Sequence, residues 1–414
     1  MSGSVNKVVS ISARKATLKR KIRRHLQAVG FQRSEEGSLW IDKDNKDVIR
    51  ELHRPQRDER LKAHQGFLAH RLPGLLKYFA AGRDLDPERI SPTLERVSAD
   101  TWQADLFRLA ALTWSVPVSR GFGRRLRYLV WDAHNQKLIG LLAIGDPVFN
   151  LSTRDRCIGW NVEERRERLV HLMDAYVLGA LPPYSALLAG KMVACLVRSR
   201  EVYDEFERRY GPTTGIISGQ AKTARLLAVT TSSSMGRSSV YNRLKLGDVQ
   251  YFRPIGYTEG WGHFHIPDAL FGELRDYLRE VGHPYADQHR FGQGPNWRLR
   301  TTRAALRALA LNEGVLRHGI RRQVFLCTLA SNASEILRTG EGRPDLTSLL
   351  SVREIGGLAV DRWLAPRSRR RPEYRCWTTD DLLKLFGNHG RFIQLTLPQA
   401  GPTARTRREG VEGE

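Results

Sequence analysis

The chain has 414 residues, 41% of them hydrophobic and 8% aromatic, which excludes a globally disordered protein and predicts two or three structural units. Lys and Arg number 67 against 44 Asp and Glu, a formal charge of +23; such a surface repels itself unless a polyanion neutralises it, and nucleic acid is the expected polyanion. No apolar run reaches the roughly 18 residues of a membrane span, and the N-terminus lacks the apolar core of a signal peptide, so no membrane partner and a cytoplasmic location are expected.

Residues 16–31 place Leu18, Ile22, Leu26 and Val29 on one helical face with Lys19, Arg20, Lys21, Arg23 and Arg24 around the rest, which predicts a basic amphipathic helix ended by Gly30. A short strand or turn in GSLWIDKDNKDVI and a helical stretch around 58–81 complete a helical N-terminal unit, 1–90, closed by the proline-bearing connector DLDPERISPTLERV. ADLFRLAALTWSVP then reads as a helix, and RLRYLVWDAHNQKLIGLLAIGD as a hairpin around the polar turn AHNQK. A strand, DAYVLGAL, ends at Pro182-Pro183 and precedes one long helix, ALLAGKMVACLVRSREVYDEFERRYG, closed by Gly211. ARLLAVTT has the signature of a buried strand, SSSMGRSSVYNRLKL reads as a loop entering a short helix, and QYFRPIGYTEGWGHFHI alternates as a strand. This order over residues 91–285 resembles the acetyltransferase-like fold of the GNAT superfamily, a mixed-sheet α/β (α+β) core. There the strand before the long helix splays from its neighbour and leaves a cleft, with the helix N-terminus aimed at a pyrophosphate. After residue 267, DALFGELRDYLREVG, WRLRTTRAALRALAL and GVLRHGIRRQVFLCTLASNASEIL read as helices; residues 286–390 form a basic helical C-terminal unit, and residues 391–414 are expected to be disordered. The cysteines, Cys157, Cys195, Cys327 and Cys376, form no CxxC pair, so they read as buried small hydrophobes and not as a zinc or redox site.

Two segments suit a phosphate. In LPPYSALLAGK, small residues let backbone N–H groups approach and Lys191 adds a cation, although the acetyltransferase pattern, Arg or Gln followed after two residues by Gly-x-Gly or Gly-x-Ala, is missing; the segment is a ligand loop or a structural turn. TTSSSMGRSSVYNRLK sets Ser234 and Ser238 beside Arg237, Arg243 and Lys245 behind a buried strand, which fits phosphate oxygens or, on the plainer view, a helix cap with a solvated face. Tyr241 in this segment is a candidate for nucleophilic or proton-transfer chemistry. His263 and His265, two apart on a strand, share a face as an acid/base pair, as two of the ligands of a metal, or as packed side chains. Asp132 and Asp146 follow apolar strand runs, where carboxylates either meet a divalent ion or form turns. Arg124, Arg125, Arg317, Arg321 and Arg322 supply cations that suit a phosphate backbone without reading bases.

The segments GRRLRYLVWD, LIGLLAIGDPVFNLSTRDRCIGW, LPPYSALLAGK, TTSSSMGRSSVYNRLK, IGYTEGWGHFHIP and LRHGIRRQVF together resemble the conserved segments of the DruA family of anti-phage defence and mobile-element proteins, over residues of about 90–340. The resemblance implies a component of the Druantia anti-phage system with other defence-system proteins as partners, and it assigns no cofactor or metal. The expected function is nucleic-acid binding through a basic surface. The alternatives are an acyl- or aminoacyl-type transferase using the cleft at 181–191, and a nuclease- or transposase-like strand-processing enzyme using Asp132, Asp146, Tyr241 or the histidines.

Overall fold

The computed structural model describes residues 2–33, 39–40, 46–214, 219, 221–287 and 297–387, so the expected disordered tail lies outside the described residues. Seven strands form one mixed sheet: β1 (Pro92–Arg96), β2 (Arg125–Asp132), β3 (Lys137–Gly145), β4 (Leu172–Ala180), β5 (Ala228–Ser232), β6 (Arg253–Tyr257) and β7 (Gln323–Thr328), in the spatial order β6-β7-β5-β4-β3-β2-β1. Every neighbouring pair is antiparallel except β4 with β5, which run parallel.

Alternation along the strands feeds two apolar layers. Leu126, Tyr128 and Val130 of β2 join one core with the helices α5 (Ala189–Leu196), α6 (Arg200–Tyr210) and α9 (Val352–Ala359). Leu129 points to the opposite core, against α3 (Gln65–Leu75) and α4 (Trp102–Ala111). A third core is mainly helical: Leu18, Ile22 and Leu26 of α1 (Ser2–Ala28) and Ile49 of α2 (Lys46–Ala63) pack with Leu274 of α7 (Asp268–Glu280) and Ala305 of α8 (Trp297–Ala308). Ion pairs of Arg14 with Glu280 and Lys21 with Glu273 tie α1 to α7. The N-terminal basic helix therefore docks on helices more than 240 residues later in the chain.

The geometry that matters most is a bulge in β4. Val177 faces Ala143 and Ala175 faces Ile144, which leaves Tyr176 as an extra residue. A bulge bends its strand and increases the local twist. Accordingly β4 pairs with β5 only from Leu172–Ala228 to Asp174–Thr230, then runs on to Ala180 paired with β3 alone.

Several sequence expectations change. The connector SPTLER contributes the edge strand β1, paired with β2 from Pro92 to Arg96. The single long helix is two, α5 and α6, parted at Val197–Ser199, where the Ser199 hydroxyl caps α6 by accepting from Val202 N–H at 3.4 Å. The Ser-rich loop enters turns instead of a helix, because the Ser238 hydroxyl takes the N–H groups of Val240 and Tyr241 and Arg243 adopts a left-handed φ of 58°. The strand at 250–266 stops at Tyr257. The arginine-rich segment expected to be helical carries β7, whose run Val324–Cys327 is buried between β5 and β6, a position that favours β-branched and aromatic residues. Cys195 and Cys327 are buried as expected, but Cys157 and Cys376 are exposed. Among the described residues no helix is long and apolar enough to cross a membrane.

Leu142 of β3 is fully buried, and its truncation to Ala should cost about 2–5 kcal/mol. Chemical denaturation checks this; an unchanged midpoint would contradict a sheet packed on both faces.

Candidate functional site: an electropositive cleft

Where β4 leaves β5, the sheet opens into a cleft of about 1270 Å³. One wall is β4 from Asp174 to Ala180 together with the Ser-rich loop from Thr231 to Tyr241; facing it are the 114–120 segment, the His53–Arg60 side of α2, and Phe264, Arg298 and Arg322 beside the helical core. The cleft thus runs between sheet and helices.

Its lining holds seven Lys and Arg side chains (Lys46, Arg60, Arg120, Lys191, Arg237, Arg298, Arg322) against two carboxylates, Asp174 and Asp268. Asp268 is engaged by an ion pair from Arg298. Asp174 accepts from the Thr230 hydroxyl at 2.7 Å, and burial pushes its carboxyl up to about 6. The Ser-rich loop is held open by its partners: Ser233 N–H donates to the Gln323 carbonyl at 2.9 Å, Gln323 N–H to the Gly236 carbonyl at 3.1 Å, and the Gln323 and Asn242 side-chain amides pair at 2.7 and 3.1 Å. Gly236 has φ +72°, a left-handed conformation for which glycine is favoured. Ser234 and Arg237 are left lining the cleft with no side-chain partner among the described residues.

The structure sorts the residues named from the sequence. Lys191, Ser234, Arg237, Ser238, Tyr241, His263 and Arg322 all line the cleft. The Tyr241 ring packs on Phe252 and Phe325, and burial pushes its hydroxyl up to about 12, so the hydroxyl is protonated at neutral pH. His263 is lowered to about 4 by burial and by Arg298. His265 is not brought beside it, because residues 263–266 form a turn closed by the bond from Ile266 N–H to the His263 carbonyl. Instead His265 turns into the helical core, 2.9 Å from the Val315 carbonyl and edge-on to Phe31.

Asp132 sits at the hairpin turn, where it accepts from Ser91 N–H, His134 N–H and the Tyr184 hydroxyl. The hairpin register sets Asp132 opposite Lys137 and Arg125 opposite Gly145. Asp146 therefore lies at the far end of the hairpin, roughly 20 Å or more away, and the two carboxylates cannot share an ion. Among the described residues no group of three or more His, Cys, Asp or Glu side chains suits a metal. Arg124 is a structural cation, bound to Asp146 at 2.7 Å and to the Val170 carbonyl at 2.8 Å. Arg125 is exposed in a separate depression with Arg96, Arg127 and Arg209. Arg243, Lys245, Arg317 and Arg321 are exposed outside the cleft, with Lys245 3.5 Å from Asp248 and Arg321 stacked over Tyr257.

Asp174, Arg60 and Arg120 are cleft residues that the sequence did not single out, and Arg298 comes from the arginine-rich run 298–307. Asp174 opens an apolar strand run, a position that looks like an ordinary boundary, and no spacing links residue 60 to residue 298.

The sequence profile of the family described as Druantia protein DruA matches residues 43–339, a span that contains every cleft-lining residue. The chain belongs to the DruA family. A curated relative, "Druantia protein DruA" of Escherichia coli (strain UMEA 4076-1), is 60% identical over 399 residues, which cover 96% of this chain and 98% of the relative. No solved structure matches the chain.

Because the Asp174 carboxyl binds its proton more tightly in the fold than in the unfolded chain, its contribution to stability is present at low pH and is lost as the pH rises from 3.8 to about 6. Asp174→Asn keeps an acceptor for Thr230 and should raise the Tm at pH 7–8 but not at pH 4. An identical shift at both values would contradict a carboxyl that holds its proton in the fold.

Proposed function

We propose that this DruA-family chain serves a Druantia anti-phage defence system, acting with other proteins of that system, as a component that binds DNA or RNA in the electropositive cleft. The observation that carries this is the imbalance of the lining: seven Lys and Arg side chains against Asp174 and an Asp268 already engaged by Arg298. Ser234 and Arg237 offer free donors on one wall, a mixture of hydroxyl and guanidinium groups that suits phosphate oxygens. Charge of this kind positions a backbone and does not read sequence.

A second reading, acyl- or aminoacyl-type transfer in an acetyltransferase-like core, is favoured by the strand order, with its single parallel pair beside a bulged strand that leads into a helix. The missing Gly-x-Gly pattern counts against a CoA pyrophosphate at 188–191, where Leu188 itself occupies a left-handed conformation with φ 67°. Calorimetry with acetyl-CoA should show no low-micromolar Kd; finding one would promote the transferase. For strand processing, the separation of Asp132 from Asp146 removes a shared metal and leaves Tyr241 as the nucleophile to test.

Nucleic-acid affinity should fall by roughly 10³-fold between 50 and 200 mM salt. Combined Lys191→Ala and Arg237→Ala should weaken binding across sequences and shallow the salt slope by about 1 per lost phosphate contact, with Arg243→Ala and Lys245→Ala, outside the cleft, having the smaller effect. Absence of binding at low salt would overturn the proposal.

A further inference from the structure

Two polar groups on the cleft wall, one buried and one half-buried, are unmatched. His53 is 2% exposed, yet neither ring nitrogen meets a hydrogen-bond partner; the nearby Gln56 side chain does not reach either at bonding geometry. The Nε of Arg322 is sealed from solvent without an acceptor, and its guanidinium makes no ion pair or hydrogen bond with any described residue. Both groups flank one ring: the Phe264 centroid lies 4.5 Å from the His53 ring and 5.6 Å from the Arg322 guanidinium. A buried imidazole with two unsatisfied nitrogens, beside a half-buried guanidinium whose Nε has no acceptor and whose charge has no counter-charge, is a site for a partner with acceptor oxygens.

The neighbouring charges cannot supply that partner. Arg60 donates to the Val118 carbonyl at 2.6 Å, and Arg298 is taken up by Asp268 and the Ile266 carbonyl. Asp174, the other carboxylate of the lining, is bonded by Thr230. The partner that suits both groups is an anion with several acceptor oxygens, compact enough to reach a closed-in wall.

We propose that His53 and Arg322 form a site for the phosphate monoester at the end of a nucleic-acid strand, a proposal that rests on the reading of the cleft as a nucleic-acid site. A phosphate monoester carries about −1.5 to −2 charges at pH 7 and three terminal oxygens. An internal phosphodiester carries one charge and is hemmed in by chain on both sides. The guanidinium fork takes two oxygens and the imidazole donates to the third, with Phe264 holding both groups in place.

The test titrates the full chain with short single-stranded oligonucleotides of one sequence, ending in a 5′-phosphate, a 3′-phosphate, or hydroxyls at both ends, and with the matching nucleoside monophosphate. One phosphorylated end should bind about tenfold tighter or more than the hydroxyl-ended strand, and more tightly than the mononucleotide. His53→Leu should abolish that preference, retain the salt-dependent binding of the hydroxyl-ended strand, and melt at or above the temperature of the unaltered protein, because it replaces an unsatisfied polar group with an apolar one; Arg322→Met, which also removes one of the cleft cations, should abolish the preference and weaken binding of all the strands alike. If either of these variants does not fold, His53→Gln and Arg322→Gln carry the same comparison. Equal affinity for all three ends, with salt-dependent binding intact, overturns the end site and leaves the nucleic-acid reading standing. A mononucleotide that binds as tightly as the phosphorylated strand also overturns it. Binding of no oligonucleotide at low salt overturns both. A loss of several degrees in every folded variant, with end preference retained, shows the two groups to be structural.

Discussion

Two parallel strands stay together only while their backbones follow the same twist, and one inserted residue is enough to part them. Tyr176 is that residue in β4: it shifts the register with β3, the strand bends, and hydrogen bonding to β5 ends after Asp174. The gap exposes one side of β4, and the Ser-rich loop leaving β5 becomes the opposite lip. Helices from distant parts of the chain then close over the opening, because α1 and α2 must bury Ile22 and Ile49 and find their apolar partners on α7 and α8. The cleft follows from a local irregularity in one strand and a long-range demand for burial.

The charge of +23 is not spread evenly in its effect. Part of it is consumed inside the fold: the fully buried Arg154 donates to the carbonyls of Val148 and Phe149 and pairs with Asp155, and Arg198 donates to Thr328 and Ser348. These guanidiniums stitch loops to the sheet and offer nothing to a ligand. The cations with functional meaning are those the fold leaves without partners at a concave surface, where low-dielectric walls concentrate the field. Arg237 and Arg322 meet that description, whereas Arg124, equally prominent in the sequence, does not.

The strands β2 to β5 were legible because their apolar runs are uninterrupted and bounded by turn chemistry, and the Ser-rich loop was legible because its composition is unusual. β7 was not: QVFLCT follows a run of arginines that suits a helical face, and only its pairing with β5 and β6 decides its form. The histidines show the limit of periodicity. His263 and His265 share a face only if the backbone is extended, and the turn after Tyr257 sends one to the cleft and the other to the helical core. His53 was invisible because its importance lies in what does not bond to it.

Hydrogen–deuterium exchange with and without a bound oligonucleotide tests the central claim most directly, since it distinguishes a cleft from a diffuse basic surface. The account predicts protection concentrated in residues 114–120 and 231–241 and in α2 near His53, with the exposed basic face of α1 unchanged. Protection confined to α1, with none in those cleft segments, would contradict it.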